Sequence, residues 1–279
     1  MTKRVLQSVI RAIPASDGAG VKLMRSLGQS QMARLDPFLM LDCFSSEEAS
    51  DYIAGFPAHP HRGFETVTYM LDGHMRHQDH LGNVGELKSG GAQWMTAGRG
   101  IIHSEMPQQE SGRMRGFQLW INLPAAEKMK PAGYRDIQAD QIPVVELARG
   151  GWVKVVAGSV QGIAGPIGGV STQPLMIDVS LAEGESLIQP VAEGHNAFVY
   201  PYEGQIAIGG QALATNQAGI LSPGSEVEII ASGGPTRFLL LAAKPLKEPV
   251  VQYGPFVMNS REQIEQAIHD YQTGNFVEA

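Results

Sequence analysis

The sequence Phe56-Pro57-Ala58-His59-Pro60-His61-Arg62-Gly63-Phe64-Glu65 contains two histidines separated by one residue. In a β-strand, residues two apart point to the same face, so His59 and His61 would project together. The same spacing recurs further along the chain in His103 and Glu105. Two strands that each contribute such a pair can surround one metal ion with three imidazoles and one carboxylate. The two motifs therefore predict paired strands and a metal site.

The donor set favours a first-row transition metal. Three imidazole nitrogens and one carboxylate oxygen suit Fe²⁺, Mn²⁺, Ni²⁺, Cu²⁺ or Zn²⁺. If such an ion is six-coordinate, the two remaining positions can hold water, O₂ or a substrate. A single histidine pair with this spacing is more often a surface feature, but six of the chain's eight histidines lie between His59 and His103. We therefore predict one divalent metal ion in the first half of the chain.

Composition predicts an all-β fold. Among 279 residues there are 33 glycines and 17 prolines, and charged residues make up only 18%. Such a chain suits many short strands joined by turns, and segments such as 66–70 and 238–241 are rich in strand-forming residues. The sequence does not alternate strands with helices as a parallel sheet requires. The glycine-rich tract 158–169 is expected to be a long loop.

One helix is expected near the C-terminus. Ser260 followed by Gln263 fits a capping box, and Gly274 can end the helix in a left-handed conformation. Apolar residues between these positions, among them Ile264 and Ala267, form a stripe on one face. This stripe predicts a helix that packs against the strands.

Chain length and a weak internal repeat predict two domains. The segments 67–73 and 197–204 are both rich in strand-forming residues and end at a glycine. A polar stretch, 124–143, lies between them. We predict an N-terminal domain over residues 1–134 and a C-terminal domain over residues 135–279.

Charge and cysteine content exclude several classes of protein. The net charge of −7 gives no general attraction to nucleic acid or to anionic membranes. Cys43 is the single cysteine, so an intrachain disulfide is excluded, and we expect it to be buried. No apolar run approaches the roughly 20 residues of a membrane-spanning helix. We therefore expect a cytoplasmic monomer that contacts neither nucleic acid nor membrane directly.

The histidine motifs resemble those of the cupin superfamily. His59-x-His61-x₃-Glu65 is similar to the first cupin motif, and Gly98-Arg99-Gly100-x₂-His103 is similar to the second. Longer stretches resemble the pirins, a family within that superfamily. The stretches similar to pirins are 35–42, 59–69, 93–107, 118–124 and 254–260.

The resemblance to pirins implies a bicupin, in which two antiparallel β-barrels of the jelly-roll type lie face to face, with a short C-terminal helix. It further implies that the N-terminal barrel alone binds metal, with Fe²⁺ the expected ion and His59, His61, His103 and Glu105 the ligands. Glu65 occupies a ligand position of many other cupins but not of pirins. By strand parity it would share the face of His59 and His61, a position that is compatible with supporting the ligands.

The C-terminal half departs from the ligand pattern. Counting back from Gly204, the positions that would match the two histidines of the first motif hold Ala192 and Pro190. His195 stands nearby without a second histidine or glutamate at ligand spacing, and it is expected to be structural or solvated. We predict that the C-terminal barrel is metal-free.

The remaining histidines are expected to lie outside the metal site. His74, His77 and His80 follow Gly73 in a polar stretch, which predicts a solvated loop or the rim of the pocket, with an auxiliary metal site as the alternative. His269 lies on the predicted C-terminal helix and is expected to face solvent.

Two functions are compatible with the resemblance. In the first, the protein is a dioxygenase of the quercetin 2,3-dioxygenase type, which opens the central ring of a flavonol with O₂. Glu105 would then be the catalytic residue that accepts the proton of a flavonol hydroxyl. In the second, the protein is a redox-sensing regulator that binds a transcription factor or a metabolic enzyme according to the state of its iron. The sequence leaves both open.

Overall fold

β-Strands make up most of the computed structural model, which describes residues 2–277. Up to residue 137 the strands are β1 (Lys3–Arg4), β2 (Leu6–Arg11), β3 (Ile13–Asp17), β4 (Val21–Arg25), β5 (Phe38–Ser46), β6 (Phe56–His61), β7 (Phe64–Asp72), β8 (His74–Asp79), β9 (Val84–Lys88), β10 (Ala92–Thr96), β11 (Ile101–Pro107), β12 (Met114–Asn122) and β13 (Gly133–Ile137). Short 3₁₀ helices span Ala49–Asp51, Ala125–Glu127 and Ala139–Gln141.

The second half continues in the same style. Its strands are β14 (Val144–Glu146), β15 (Trp152–Ala157), β16 (Ser159–Val160), β17 (Ile163–Ala164), β18 (Leu175–Leu181), β19 (Ser186–Pro190), β20 (Asn196–Glu203), β21 (Gln205–Ile208), β22 (Gln211–Ala214), β23 (Gln217–Leu221), β24 (Glu226–Ala231), β25 (Thr236–Ala243), β26 (Val251–Tyr253) and β27 (Phe256–Met258). The helix α1 (Arg261–Thr273) follows. The all-β prediction is confirmed. The tract 158–169, predicted as a loop, contains the short hairpin β16–β17.

The described chain divides into two compact units. The N-terminal unit comprises residues 14–25, 38–139 and 246–277, and the C-terminal unit comprises residues 2–13, 26–37 and 140–245. The boundary predicted between residues 134 and 135 stays a prediction, because compact groups of contacts do not establish which segments fold together.

Each unit contains two large sheets and a two-stranded one, which is β26-β27 in the N-terminal unit and β16-β17 in the C-terminal unit. In the N-terminal unit the strand order is β13-β10-β7-β12-β5-β4-β3 in one sheet and β6-β11-β8-β9 in the other. In the C-terminal unit the orders are β14-β15-β18-β25-β20-β23-β2 and β1-β24-β21-β22. A further strand of the second sheet, β19, also pairs with β24. The order β10-β7-β12-β5-β4-β3 of the first large sheet matches β23-β20-β25-β18-β15-β14 of the second, and β6-β11-β8-β9 matches β19-β24-β21-β22. The two units are therefore built on one topology.

The interiors of the two units differ. In the C-terminal unit, alternating side chains such as Val153, Ile177 and Phe238 join one continuous apolar core. In the N-terminal unit, a row of polar residues crosses the large sheet in register; it consists of Gln93 on β10, Thr68 on β7, Gln118 on β12 and Asp42 on β5. Because aligned residues on neighbouring strands share a face, this row gives one face of the sheet a polar lining.

The C-terminal helix has the predicted ends. Ser260 is the N-cap, its hydroxyl accepts from the backbone N–H of Gln263, and the Gln263 side chain completes the capping box. Gly274 ends the helix with φ of 76°, in the left-handed region that glycine adopts readily. Ile264 and Ala267 are the buried residues of the apolar face. Within residues 2–277, no helix is long and apolar enough to cross a membrane.

Candidate metal centre

Strands β6 and β11 bring the two predicted motifs together. They pair antiparallel, so that His59 lies opposite His103 and His61 lies opposite Ile101. The two histidines of β6 therefore share a face with His103 of β11, as their spacing predicted. The register shifts between His103 and Glu105, where β11 carries an irregularity.

The three histidines form a tight cluster. The ring centroids are 4.6 Å apart for His59 and His61, 4.4 Å for His59 and His103, and 4.9 Å for His61 and His103. One ring nitrogen from each lies within 4.8 Å of those of the other two. His61 and His103 are only 4% and 2% exposed, whereas His59 is half-buried. The cluster thus has one partly open side, at His59.

The nitrogens of this cluster fit a metal ion. Both ring nitrogens of His103 and Nδ1 of His61 are buried and have no hydrogen-bond partner among the described residues. Nδ1 of His59 lies 2.8 Å from the carbonyl oxygen of Pro57, which leaves its Nε2 available. Buried polar atoms are normally paired, so these orphaned nitrogens call for a partner that a first-row ion would provide.

Burial also keeps these imidazoles in the form that binds metal. The pKa values of His61 and His103 lie well below the usual value, chiefly because burial disfavours the charged ring and secondarily because of the neighbouring histidines. A neutral imidazole retains the lone pair that a metal ligand must supply. The histidine cluster in the N-terminal unit therefore fits a metal site.

Glu105 is buried beside the cluster and is held by two donors. The hydroxyl of Thr68 donates to Oε1 at 3.0 Å, and Nε2 of Gln118 donates to Oε2 at 3.0 Å. Among the described residues, the group of ligand atoms that lie within reach of one another contains the three histidines and not Glu105. Its part as fourth ligand stays a prediction.

Glu65 does not support the cluster, and the parity expectation was wrong. It lies on β7 three residues before Thr68, and residues three apart on a strand point to opposite faces. Its carboxylate accepts from the hydroxyl of Thr96 at 2.7 Å and lies 3.7 Å from Nζ of Lys130. Burial raises the pKa of Glu65 above its usual value. Parity failed because the turn at Gly63 starts a new strand in a different sheet.

His77 is the site residue that the sequence reading missed. It lies on β8, where burial alternates and where Met75, His77 and Asp79 are the buried positions. The stretch was predicted as a solvated loop or the rim of the pocket, and for His77 the solvated loop was wrong, because the residue is buried in a strand. His77 lies opposite Glu105 in the register of β8 and β11, and its ring centroid is 4.8 Å from that of His103. Because two of these three buried positions are polar, the sequence shows no apolar alternation that could have revealed it.

The turn that follows His61 is anchored by the C-terminal segment. Nζ of Lys128, which is buried, donates to the carbonyl oxygens of Gly63 and Val257 at 2.7 and 2.9 Å, and to Oδ1 of Asn122 at 2.6 Å. Burial lowers the pKa of Lys128 to about 7. Gly63 has φ of 90°, and a Cβ there would overlap the carbonyl oxygen of Val257. The turn thus needs glycine for both conformation and space.

A partly buried ion pair fixes the helix to the same turn. Nη1 of Arg62 donates to Asp270 of α1 at 2.6 Å, and Nη2 donates to the carbonyl oxygen of Phe276 at 3.1 Å. The Arg62 guanidinium also stacks over the Phe276 ring at 4.4 Å. Since Arg62 follows His61 directly, these contacts help to hold the end of β6 in place.

In the C-terminal unit the corresponding positions are occupied mainly by apolar residues. Matching Gly73 with Gly204 aligns β8 with β21, and matching Gly100 with Gly224 aligns β11 with β24. The pairing of β6 with β11 and of β19 with β24 then aligns β6 with β19. The N-terminal site residues His59, His61, His77, His103 and Glu105 then correspond to Gln189, Val191, Ile208, Val227 and Ile229. All five are buried.

The match by simple counting, to Ala192 and Pro190, was off by one residue. Those two positions are exposed, whereas their neighbours Val191 and Gln189 point inward. His195 is half-buried, and burial lowers its pKa. Of the other residues singled out from the sequence, Cys43 is buried and His269 is exposed, as predicted.

Two family models match the chain. A model described as "Pirin" covers residues 20–121, and one described as "Pirin C-terminal cupin domain" covers residues 176–277. Together with the duplicated strand order, these matches confirm the predicted fold of two cupin domains.

Individual proteins are similar over nearly the whole chain. A Pseudomonas aeruginosa protein with the provisional name quercetin 2,3-dioxygenase is 55% identical over 268 residues, which cover 94% of each protein. The crystal structure of quercetin 2,3-dioxygenase from Acinetobacter baumannii matches with a TM-score of 0.91 at 33% identity, covering 98% of both chains. A bacterial pirin from Escherichia coli, solved in complex with nickel(II), shares the fold with a TM-score of 0.67 at 20% identity, over 85% of this chain and 98% of that one.

Proposed function

The chain belongs to the pirin family, and we propose that it is a mononuclear metal protein that cleaves a flavonol with O₂, as a quercetin 2,3-dioxygenase does. The observation that carries the proposal is the cluster of His59, His61 and His103, whose ring nitrogens lie within 4.8 Å of one another and include buried, orphaned nitrogens of His61 and His103. The name of the Acinetobacter baumannii structure, similar over 98% of this chain, supports the choice of reaction.

We assign His59, His61, His103 and Glu105 as the residues that hold one divalent ion. Fe²⁺ is our first choice, and Mn²⁺, Ni²⁺, Cu²⁺ and Zn²⁺ are compatible with the same donors. When bound, the ion would supply a Lewis acid that lowers the pKa of a substrate hydroxyl and a route for electron transfer to O₂.

In this proposal Glu105 both completes the ligand set and accepts the proton of the flavonol hydroxyl. Thr68 and Gln118 each donate one hydrogen bond to it, which fixes the plane of the carboxylate. An ionised carboxylate can accept about four hydrogen bonds, so both oxygens keep lone pairs for further partners. Its buried position on β11 keeps bulk water away from the proton that it accepts.

The test is anaerobic loading with Fe²⁺, Mn²⁺, Ni²⁺ or Cu²⁺, addition of quercetin, and then admission of O₂. We expect loss of the flavonol absorption band together with O₂ uptake for at least one ion. If none of the four forms consumes quercetin, the proposed activity is wrong.

Replacing Glu105 tests the role of the carboxylate. Glu105→Gln removes the proton acceptor but keeps the size of the side chain, so turnover should fall by about 100-fold or more while the three histidines retain the ion. Metal content and turnover are measured on the same preparation. Glu65→Gln is the matched control, because Glu65 is also buried but lies on the face of β7 opposite to Thr68, the residue that contacts Glu105. This variant should leave turnover near the wild-type rate. Equal turnover in Glu105→Gln and wild type would remove Glu105 from the mechanism.

A further inference from the structure

His77 lies within the N-terminal unit next to the histidine cluster without belonging to it. Its side chain is 2% exposed, its ring contacts that of His103, and it lies opposite Glu105 in the strand register. The ligand set assigned above does not use it. The corresponding residue of the C-terminal unit is Ile208, so the fold itself does not require a histidine here.

A chain of hydrogen bonds determines which nitrogen of His77 carries the proton. Nε2 of Gln93 donates to Oδ1 of Asp136 at 2.7 Å, because an ionised carboxylate can only accept. The carbonyl oxygen of Gln93 must then face Nδ1 of His77, with which it forms a short contact. A carbonyl oxygen also only accepts, so Nδ1 carries the hydrogen. In the neutral ring Nε2 is therefore a hydrogen-bond acceptor.

The surroundings hold this chain in place. Asp136 lies against Gly85, which is opposite His77 on β9, and a Cβ at Gly85 would overlap the carboxylate. Tyr134 stacks on the His77 ring at 4.8 Å between centroids with an interplanar angle of 25°. The ring is thus fixed on one side by stacking and at Nδ1 by hydrogen bonding.

Nε2 of His77 is buried and has no hydrogen-bond partner among the described residues. Leaving such an acceptor unpaired destabilises a fold, because the nitrogen loses its hydrogen bond to water and gains none in return. Because Nδ1 carries the hydrogen, a group with a hydrogen to donate can satisfy this nitrogen, and His77 is not among the residues whose ligand atoms lie within 4.8 Å of one another for a metal ion. Its unpaired state therefore indicates a ligand that supplies an N–H or O–H.

A cavity lies beside Tyr134, the residue that stacks on the His77 ring. Its volume is about 360 Å³, and its lining includes Tyr134, Asp79, His80 and Ile101. Two of these residues border the cluster in the strand register, since Ile101 lies opposite His61 and Asp79 lies opposite His103. The cavity is within the size range of small-molecule sites.

We propose that Nε2 of His77 accepts a hydrogen bond from a hydroxyl group of the substrate, in addition to the hydroxyl that binds at the cluster. The inference rests on the proposed function, because it takes a polyhydroxylated aromatic compound as the substrate. It makes His77 a specificity residue that selects compounds with a second hydroxyl over those with hydrogen at that position. Sites that pair a buried acceptor with a substrate hydroxyl reject the analogue that lacks it.

The test is equilibrium binding under anaerobic conditions, which needs no turnover. Quercetin and 3-hydroxyflavone, which lacks the additional hydroxyls, are titrated into metal-loaded protein, and the shift of the flavonol absorption band gives each Kd. We expect wild type to bind quercetin about tenfold more tightly than His77→Asn does. His77→Asn keeps a donor near Nδ1 but removes Nε2. For 3-hydroxyflavone the two proteins should differ by less than about twofold.

His77→Gln and His74→Asn complete the set. In His77→Gln the amide oxygen of the new side chain can reach the position of Nε2, so this variant should recover part of the preference for quercetin. His74 lies on the same strand, half-buried and paired with Glu86 at 2.6 Å, so His74→Asn should behave as wild type. Metal content and thermal unfolding are measured for every variant, so that loss of the ion or of the fold is detected separately.

Each outcome decides a different point. Equal loss of affinity for both flavonols in His77→Asn would overturn the inference and assign the hydrogen bond to a bound water instead. Unchanged affinity for both, or failure of wild type to bind either, would also overturn it. Binding that follows the expected pattern without any consumption of quercetin in O₂ would support His77 while overturning the dioxygenase activity.

Discussion

The two units share a strand order, but at matching positions the interior of the N-terminal unit is polar and that of the C-terminal unit is apolar. Where the N-terminal unit has His103 and Glu105, the C-terminal unit has Val227 and Ile229, which belong to its continuous apolar core. The same topology is therefore stable with hydrocarbon at these positions. The polar residues of the N-terminal unit are not needed for folding, which indicates that they are retained for the site.

The polar end of the N-terminal unit has an energetic consequence. Each buried nitrogen without a partner destabilises the fold, and the histidines have several. An apolar core of equal size would avoid that loss. A bound ion recovers it, because binding to the native state alone stabilises that state. The comparison therefore predicts that placing the apolar residue of the C-terminal unit at a histidine position of the N-terminal unit weakens metal binding without destabilising the metal-free protein. Placing the histidine at the apolar position should destabilise it.

Metal binding should show the largest effect. Replacing His103 with its counterpart, His103→Val, removes one of three clustered imidazoles, and affinity should fall by more than about 100-fold, since residues that only orient a ligand already contribute about 10- to 100-fold. Metal content per chain, measured after dialysis against a weak chelator, checks this. His195→Ala in the C-terminal unit is the control and should keep the wild-type content. Equal metal content in His103→Val and wild type would place the ion elsewhere.

The free energy of unfolding should fall in Val227→His but not in His103→Val. Val227→His places a polar ring in the apolar core of the C-terminal unit without a partner, and it should destabilise the protein by about 3 kcal/mol or more. His103→Val removes orphaned nitrogens, so the metal-free protein should be unchanged or more stable by about 1–2 kcal/mol. Denaturant unfolding of metal-free protein measures both. The comparison fails if His103→Val is the more destabilising of the two.

The sequence alone predicted the parts of the site that lie on single strands. The spacing within His59-x-His61 determines that both side chains share a face whatever the rest of the fold does. Glu65 was placed wrongly because parity does not carry across the turn at Gly63. His77 was missed because polar neighbours on the exposed face of β8 masked the buried positions. Local patterns thus identify a face, but not which face becomes the interior.

Local sequence patterns also could not predict which distant segments of the chain pair with one another. β1 pairs in parallel with β24, more than 200 residues away, and the segment 246–277 belongs with residues 38–139. No short-range rule relates such segments, because their pairing depends on which sheet edges remain open after the rest has folded. The helix α1, by contrast, was predicted with both ends, since Ser260, Gln263 and Gly274 determine them locally.

The capping box provides the smallest of the expected effects and sharpens the comparison between the units. Ser260→Ala leaves the backbone N–H of Gln263 without its acceptor, so the helix should lose about 1 kcal/mol. Because α1 belongs to the N-terminal unit, hydrogen exchange should accelerate for amides of its first turn and remain unchanged in the C-terminal core. Ser260→Thr keeps the hydroxyl and should behave as wild type. Faster exchange throughout both units would show that they unfold together, and the differences between their interiors would then affect one shared stability rather than two separate ones.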